Sequence, residues 1–153
     1  MKYVNPATRF NGGPFIIVPD TQQTNVALGD TDPEWNYPTL LNGWVTYSTA
    51  WGVPAYRKVN GVVYMRGLIK DGLINTDLFV LPAGYRPGIP MLFITAGFPG
   101  GSTSATQGNP IRIDVSPTTG TVHLEAVYGI TVNTFPGTNE WISLANISYP
   151  AEQ

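Results

Sequence analysis

The chain has 153 residues, enough for one domain with a sizeable hydrophobic core and too few for two. Only 12% of the residues are charged, the formal net charge is −2 and cysteine is absent, which excludes a strongly basic nucleic-acid-binding surface and a disulfide framework. The 17 glycines, 14 prolines and 12% aromatic content predict a rigid, turn-rich β fold instead of a disordered chain. Because so few charges solvate it, we expect part of its surface to contact other protein chains.

The first forty residues show no regular pattern, because proline and glycine recur throughout them. We therefore predict an N-terminal arm or linker over residues 1–34 and a single domain over 35–153. The apolar run at 15–18 is shorter than the roughly 7–15 residues of a signal peptide or the about 20 of a membrane helix. No membrane insertion is expected.

From about residue 43, short apolar runs alternate with turn residues, and no segment repeats apolar positions with helical spacing. This pattern predicts an all-β fold, an antiparallel β-sandwich of about eight or nine short strands that follows the irregular arm. The predicted strands are 44–49, 55–59, 62–69, 77–81, 91–96, 111–115, 121–128, 130–134 and 141–148.

Three connections between these strands carry strong turn signals. Asn60-Gly61 favours a type I′ hairpin turn. The segment 81–87, LPAGYRP, fixes the backbone with two prolines and frees it at Gly84, which predicts a stiff turn between two strands. The segments 111–115 and 121–126 form the most secure hairpin. Its buried face is predicted to carry Ile111, Ile113, Val115, Val122, Leu124 and Ala126.

Two predicted strands, 62–69 and 91–96, are apolar on both faces. Such strands lie either in the centre of a core or against another subunit. The sequence alone leaves both alternatives open.

The polar residues give weak signals for catalysis or metal binding. His123, the only histidine, is followed two residues later by Glu125 and is interpreted as ordinary surface. The acidic segment 30–34 lacks the glycine and the distal glutamate of a calcium loop, and no Gly-x-Ser-x-Gly motif presents a nucleophile. We therefore predict no catalytic residue, no metal ligand and no cofactor.

The aromatic residues are more informative, since six tryptophans and tyrosines fall between residues 35 and 56. Aromatic faces next to polar groups suit sugar rings. Trp44 is interpreted as core, whereas Trp51 lies in a turn and is a candidate for a ligand. The long segment 98–110 lacks a phosphate-loop ending, and loops of that length are usually functional or disordered.

Five phrases occur in a fixed order along the chain: LLNGWVTY, YRKVNGVVYMRGLI, LPAGYRP, RIDVSPTTGTVHL and WISLANISY. The series, over residues 35–149, resembles the C-terminal domain of tailed-bacteriophage tail-fibre and receptor-binding proteins. That family has a Tyr-Arg-Lys strand, an Arg-Gly pair, a Leu-Pro-x-Gly-Tyr-Arg-Pro turn and a closing Trp-Ile-x-Leu strand.

The resemblance implies a β-sandwich head at the virion tail that forms a parallel homotrimer with other tail proteins as neighbours. It further implies non-enzymatic attachment to a host cell-surface polysaccharide or other glycan. In such a domain Tyr85 and Arg86 are architectural contacts or lie at a seam between chains. The chain lacks the long shaft of a complete fibre, which is consistent with a fragment or a small free-standing protein.

The shared phrases are scaffold, so the candidate contact surface comes from this chain's own aromatic and polar residues. It consists of the turn at Trp51 and the 98–110 segment. The predicted ligand-binding residues are Trp51, Tyr56, Phe98, Ser102, Thr103, Gln107 and Asn109. Two alternatives remain: a glycan depolymerase that uses carboxylates such as Asp71, Asp77 or Glu125, and a purely structural domain that trimerises or caps a fibre.

Overall fold

The computed structural model describes residues 34–98, 108–127 and 140–152. The chain divides into two units, Met1–Thr31 and Asp32–Gln153, and every described residue belongs to the second. Within the described ranges no helix has the length and apolar character needed to cross a membrane. The predicted arm over 1–34 and the predicted strand 130–134 lie outside these ranges, apart from residue 34.

The described chain is built almost entirely from short strands, with one 3-10 turn at Thr49–Trp51 as the only helical element among the described residues. We number the strands in chain order. They are β1 (Val45–Thr46), β2 (Ala55–Val59), β3 (Val62–Arg66), β4 (Leu68–Lys70), β5 (Thr76–Val80), β6 (Met91–Phe98), β7 (Asn109–Val115), β8 (Thr121–Val127), β9 (Trp141–Ser143) and β10 (Ser148–Pro150).

Two antiparallel sheets pack as a curled half-barrel around one core. The larger has seven strands in the order β1-β4-β9-β6-β7-β8-β5, and the smaller has three in the order β10-β3-β2. Side chains that point between the sheets are fully buried on nearly every strand, because alternate residues of a strand face opposite sides. The prediction of an all-β sandwich is confirmed. The largest fully buried side chains are Ile69, Leu78, Phe79, Leu81, Ile111, Ile113, Leu124, Ile142, Leu144, Ile147 and Tyr149.

Two predicted strands are each divided in the structure. The predicted strand 62–69 breaks at Gly67, whose φ of 96° is accessible to glycine and unfavourable for other residues. A Cβ atom there would also lie 2.6 Å from the backbone nitrogen of Pro54, so the two segments join different sheets around a close backbone contact. The predicted strand 141–148 is interrupted by a turn after β9, and only its last residue, Ser148, belongs to β10 in the other sheet.

The two predicted hairpins are confirmed, with one correction. Asn60 and Gly61 both have positive φ, 49° and 80°, as a type I′ turn requires. In the β7–β8 hairpin the register shifts between Arg112 and Ile113, so Ala126 lies opposite Arg112 and is partly exposed instead of buried. The extra residue of this β-bulge reverses the alternation that the sequence predicted.

The LPAGYRP segment connects β5 to β6 as a turn, as predicted, and Gly84 has a φ of 84°. Arg86 donates hydrogen bonds to the carbonyl oxygens of Leu81 (3.3 Å) and Thr118 (2.7 Å). The carbonyl oxygen of Tyr85 accepts a hydrogen bond of 2.9 Å from the hydroxyl of buried Tyr149. Within this chain, the Tyr-Arg pair is therefore architectural, since it joins the turn to β10 and to the β7–β8 connection.

The first described residues attach to the smaller sheet. Asn36 forms an antiparallel bridge with Tyr56, whose backbone N–H and carbonyl it engages at 2.9 and 2.8 Å. The ring of Trp35 lies 4.5 Å from the guanidinium carbon of Arg57 and 4.1 Å from that of Arg66. These cation–π contacts hold the start of the described segment against β2 and β3.

Candidate functional site: an aromatic cavity and a polar groove on one sheet face

The outer, solvent-facing side of the seven-stranded sheet carries apolar, aromatic and charged side chains close together. On β6, Phe93 and Thr95 point into the core, whereas Leu92 and Ile94 point outward and are 54% and 56% exposed. Residues directly opposite on neighbouring strands share a face, so Leu92 stands beside Asp114 and Ile94 beside Arg112. The outer face of the sheet therefore has an apolar half around β9 and β4 and, next to it, a polar half around β7 and β8.

An open cavity of about 470 Å³ lies on the apolar half. Three aromatic side chains surround it, contributed by β9, by the 3-10 turn and by the segment before that turn, and Ser143 supplies a hydroxyl. No charged side chain is among its described lining residues. We call it the aromatic cavity; it is lined by Tyr47, Trp51, Gly67, Leu68, Ala96, Trp141, Ser143 and Ala145.

Trp51 is presented to this cavity by a short, capped turn. The hydroxyl of Ser48 accepts a hydrogen bond of 3.2 Å from the backbone N–H of Ala50, which caps the 3-10 turn. Gly52 ends the turn with a φ of 88°, a conformation suited to glycine. The indole of Trp51 is 69% exposed, so it offers a large apolar face to solvent at the rim of the cavity.

Trp141 and Tyr47 line the cavity from backbone segments that are hydrogen-bonded to neighbouring strands. Trp141 begins β9 and lies opposite Phe98 of β6. The backbone N–H of Tyr47 donates a 2.9 Å hydrogen bond to the carbonyl oxygen of Leu68 on β4, which extends the β1–β4 pairing by one residue. Both side chains therefore stand on hydrogen-bonded backbone and not on a free loop.

The structure brings only part of the predicted ligand-binding set to this surface. Trp51 is at the cavity, and Asn109 begins β7 opposite Gly97. Tyr56 is 8% exposed, with a ring 6.4 Å from that of Phe79, and burial followed by the charge of Tyr85 raises the pKa of its hydroxyl. Phe98 is 6% exposed. Ser102, Thr103 and Gln107 lie outside the described residues, and the ligand-binding role of the set stays a prediction.

Sequence reasoning missed two of the three aromatic residues of the cavity. Tyr47 belongs to the aromatic group at 35–56 but is not among the predicted ligand-binding residues, and Trp141 is predicted only as part of a closing strand. The alternation around buried Ile142 places Trp141 and Ser143 on the opposite, outer face, and this pattern was visible in the sequence. Their proximity to Trp51 was not, because it depends on which strands become neighbours.

A second depression lies on the polar half, and we call it the polar groove. It encloses about 510 Å³. Its lining includes Arg112 and Asp114, whose bidentate contact has distances of 2.9 Å from Nε to Oδ1 and 2.7 Å from Nη2 to Oδ2. The groove is lined by Pro90, Met91, Leu92, Arg112, Asp114, Val115, Ser116, Pro117, Thr118, Thr121 and His123.

His123 is more closely surrounded than an ordinary surface histidine. Its Nδ1 lies 2.7 Å from Oδ1 of Asp77, and its Nε2 lies 3.2 Å from Oδ1 of Asn75 and 3.8 Å from Oε2 of Glu125. These contacts join β8 to β5 and to the turn before it. Asp71, the remaining carboxylate considered for catalysis, lies 3.5 Å from Lys70 at the end of β4.

Comparison with known proteins gives a likeness to a solved structure. No protein-family model matches the chain, and no curated protein matches it. Among solved structures, the chain is similar to the crystal structure of the receptor binding protein (gp15) of Listeria phage PSA, with a TM-score of 0.54 and 19% sequence identity. The match covers 78% of this chain and 66% of that protein, slightly less than two thirds of its length. At this level of identity the likeness shows the fold, and this chain shares the fold of a phage receptor-binding protein.

Proposed function

We propose that this chain is the head of a tailed-phage receptor-binding protein and attaches the virion tail to a glycan on the host cell surface, without cleaving it. The observation that carries the proposal is the aromatic cavity on a fold shared with a phage receptor-binding protein. Three aromatic rings around an uncharged hollow suit the C–H faces of sugars, while the hydroxyl of Ser143 and nearby backbone groups can bond sugar hydroxyls.

The proposal includes assembly as a homotrimer beside other tail proteins. It is supported by the low charged fraction of 12% and by exposed aliphatic side chains that line neither depression, such as Leu73 and Ile89. Three copies multiply the effective affinity of a weak sugar site without any new contact. The surface proposed for contact is the aromatic cavity together with the 98–110 segment, of which residues 99–107 lie outside the described ranges.

The attachment role is tested with labelled full-length protein on a panel of bacterial strains, followed by Trp51→Ala on any strain that binds. Loss of one stacked aromatic ring is expected to reduce cell binding by about tenfold or more, which corresponds to about 1.4 kcal/mol. The matched control is Tyr37→Ala, because Tyr37 is also well exposed, at 63%, and lies outside the cavity. Equal binding by wild type and Trp51→Ala, or equal losses for both variants, would reject the cavity as the contact surface.

A glycan depolymerase is the second candidate, since Asp77 and Glu125 both contact His123 and two nearby carboxylates are what glycoside hydrolysis requires. Incubating the bound polysaccharide with the protein and measuring new reducing ends separates the two functions. We expect no shortening of the chains. Shortening that disappears in Asp77→Asn would establish the enzyme instead.

A further inference from the structure

We propose that the aromatic cavity and the polar groove are two ends of one binding path, and that the ligand is a linear, uncharged polysaccharide segment of several sugar units. The inference rests on the proposed function, because it takes the aromatic cavity as a glycan site. It adds a second contact region, centred on the Arg112–Asp114 pair, and a minimum ligand length.

The two depressions open on the same face of the same sheet. Ala96 of β6 lines the aromatic cavity and Leu92 of the same strand lines the polar groove. Both side chains point outward, with outward-facing Ile94 between them. Ala96 follows Leu92 by four positions along the strand, a distance of about 13 Å at about 3.3 Å per residue.

The path also crosses several strands. Trp141 is on β9, whereas His123 is on β8, three strands away in the order β9-β6-β7-β8. At about 4.8 Å per strand this crossing adds about 14 Å. One sugar ring cannot contact both ends, so a ligand that uses the whole face must be an oligomer.

The chemistry of the polar groove favours hydroxyl groups over charged ones. Arg112 and Asp114 hold each other in a bidentate pair with side chains 32% and 31% exposed, so the pair is nearly neutral and geometrically fixed. A fixed carboxylate and guanidinium retain acceptor and donor capacity for neighbouring sugar hydroxyls. Exposed Leu92 and Pro90 offer an apolar surface beside them.

Hydroxyl side chains complete the groove. Ser116, Thr118 and Thr121 also line it. Arg112 is paired with Asp114, and His123 contacts Asp77 and Glu125. Because no unbalanced cation faces the groove among these residues, a phosphate or carboxylate group gains little there. The groove therefore fits a neutral sugar better than an anionic one.

The test uses full-length protein and fragments of one to six sugar units, released from the surface polysaccharide of the strain bound in the attachment experiment. Calorimetry is expected to show affinity that rises with length, by about tenfold or more between one unit and the longest fragments. Trp51→Ala should weaken binding of all fragments. Asp114→Asn should weaken only the long ones, to a level near that of the single sugar.

Glu34→Gln serves as the matched control, because it also removes one carboxylate charge and Glu34 lines neither depression. If Trp51→Ala reduces binding but affinity is independent of length and unchanged in Asp114→Asn, the attachment site stands and the extended path is wrong.

If Ile94→Asp changes the oligomeric mass in sedimentation, the face between the two depressions is a contact between copies, which also overturns the path. If no fragment binds the wild type, the attachment site and the path fail together.

Discussion

At the residue scale, Tyr149 shows how one side chain ties the fold together. It is fully buried in the middle of β10, and its hydroxyl donates to the carbonyl oxygen of Tyr85, 64 positions earlier in the chain. Burial, with a smaller contribution from the charge of Tyr56, raises its pKa well above the usual value for tyrosine. The hydroxyl is therefore an uncharged hydrogen-bond donor at every pH at which the protein is expected to work.

Replacing Tyr149 by Phe should lower the free energy of unfolding by about 1–2 kcal/mol at neutral pH, because the Tyr85 carbonyl loses its donor. The stability that the neutral hydroxyl contributes is fully present below pH about 10, where unfolded tyrosine ionises, and is lost as pH rises towards the higher folded-state pKa. Since phenylalanine does not ionise, the stability difference between wild type and variant should narrow above pH about 10. Urea denaturation at neutral and alkaline pH measures this difference, and a constant or growing difference would contradict it.

At the element scale, β6 separates the two roles of the large sheet. Its inward side chains pack in the core with those of β7, whereas its outward side chains Leu92 and Ile94 remain more than half exposed. The sequence showed a strand that is apolar on both faces and left open whether both faces are covered. In this chain, one face is core and the other belongs to the surface on which the candidate sites lie.

The contributions of the inner and outer faces of the large sheet to stability can be compared by the same substitution, isoleucine to alanine, on each face. Ile113→Ala removes a side chain that is 0% exposed on β7, and we expect the free energy of unfolding to fall by about 2–5 kcal/mol. Ile94→Ala on neighbouring β6 removes an outward side chain and should change it by no more than about 0.5 kcal/mol. Chemical denaturation of both variants is the measurement. Similar losses for the two would mean that the outer face is covered in solution.

At the scale of the whole molecule, the oligomeric state has the widest consequences. We expect the 16.6 kDa chain to sediment and scatter light as a trimer at micromolar concentration, because avidity is what makes a shallow sugar site useful for attachment. Light scattering across a dilution series tests this. A stable monomer at all concentrations would contradict the homotrimer while leaving the single-chain cavity to be tested separately.

Much of the fold was determined by the sequence alone, because its signals are local. Asn60-Gly61 and the two prolines and one glycine of residues 81–87 restrict φ directly, and alternation along 111–115 identifies a buried face. The order of the five phrases also pointed to a phage receptor-binding head, and the chain shares the fold of such a protein.

Only the tertiary structure decided the features that depend on pairing between distant strands. Gly67 divides one predicted strand between two sheets, and the bulge beside Arg112 turns Ala126 outward. The same pairing brings Trp141 next to Trp51, 90 positions apart, and places Tyr56, a predicted ligand-binding residue, in the core. A local sequence pattern determines the backbone conformation and which side chains alternate between the two faces of a strand. The order of the strands depends on burial of the whole core. The candidate site could therefore be located only from the tertiary structure.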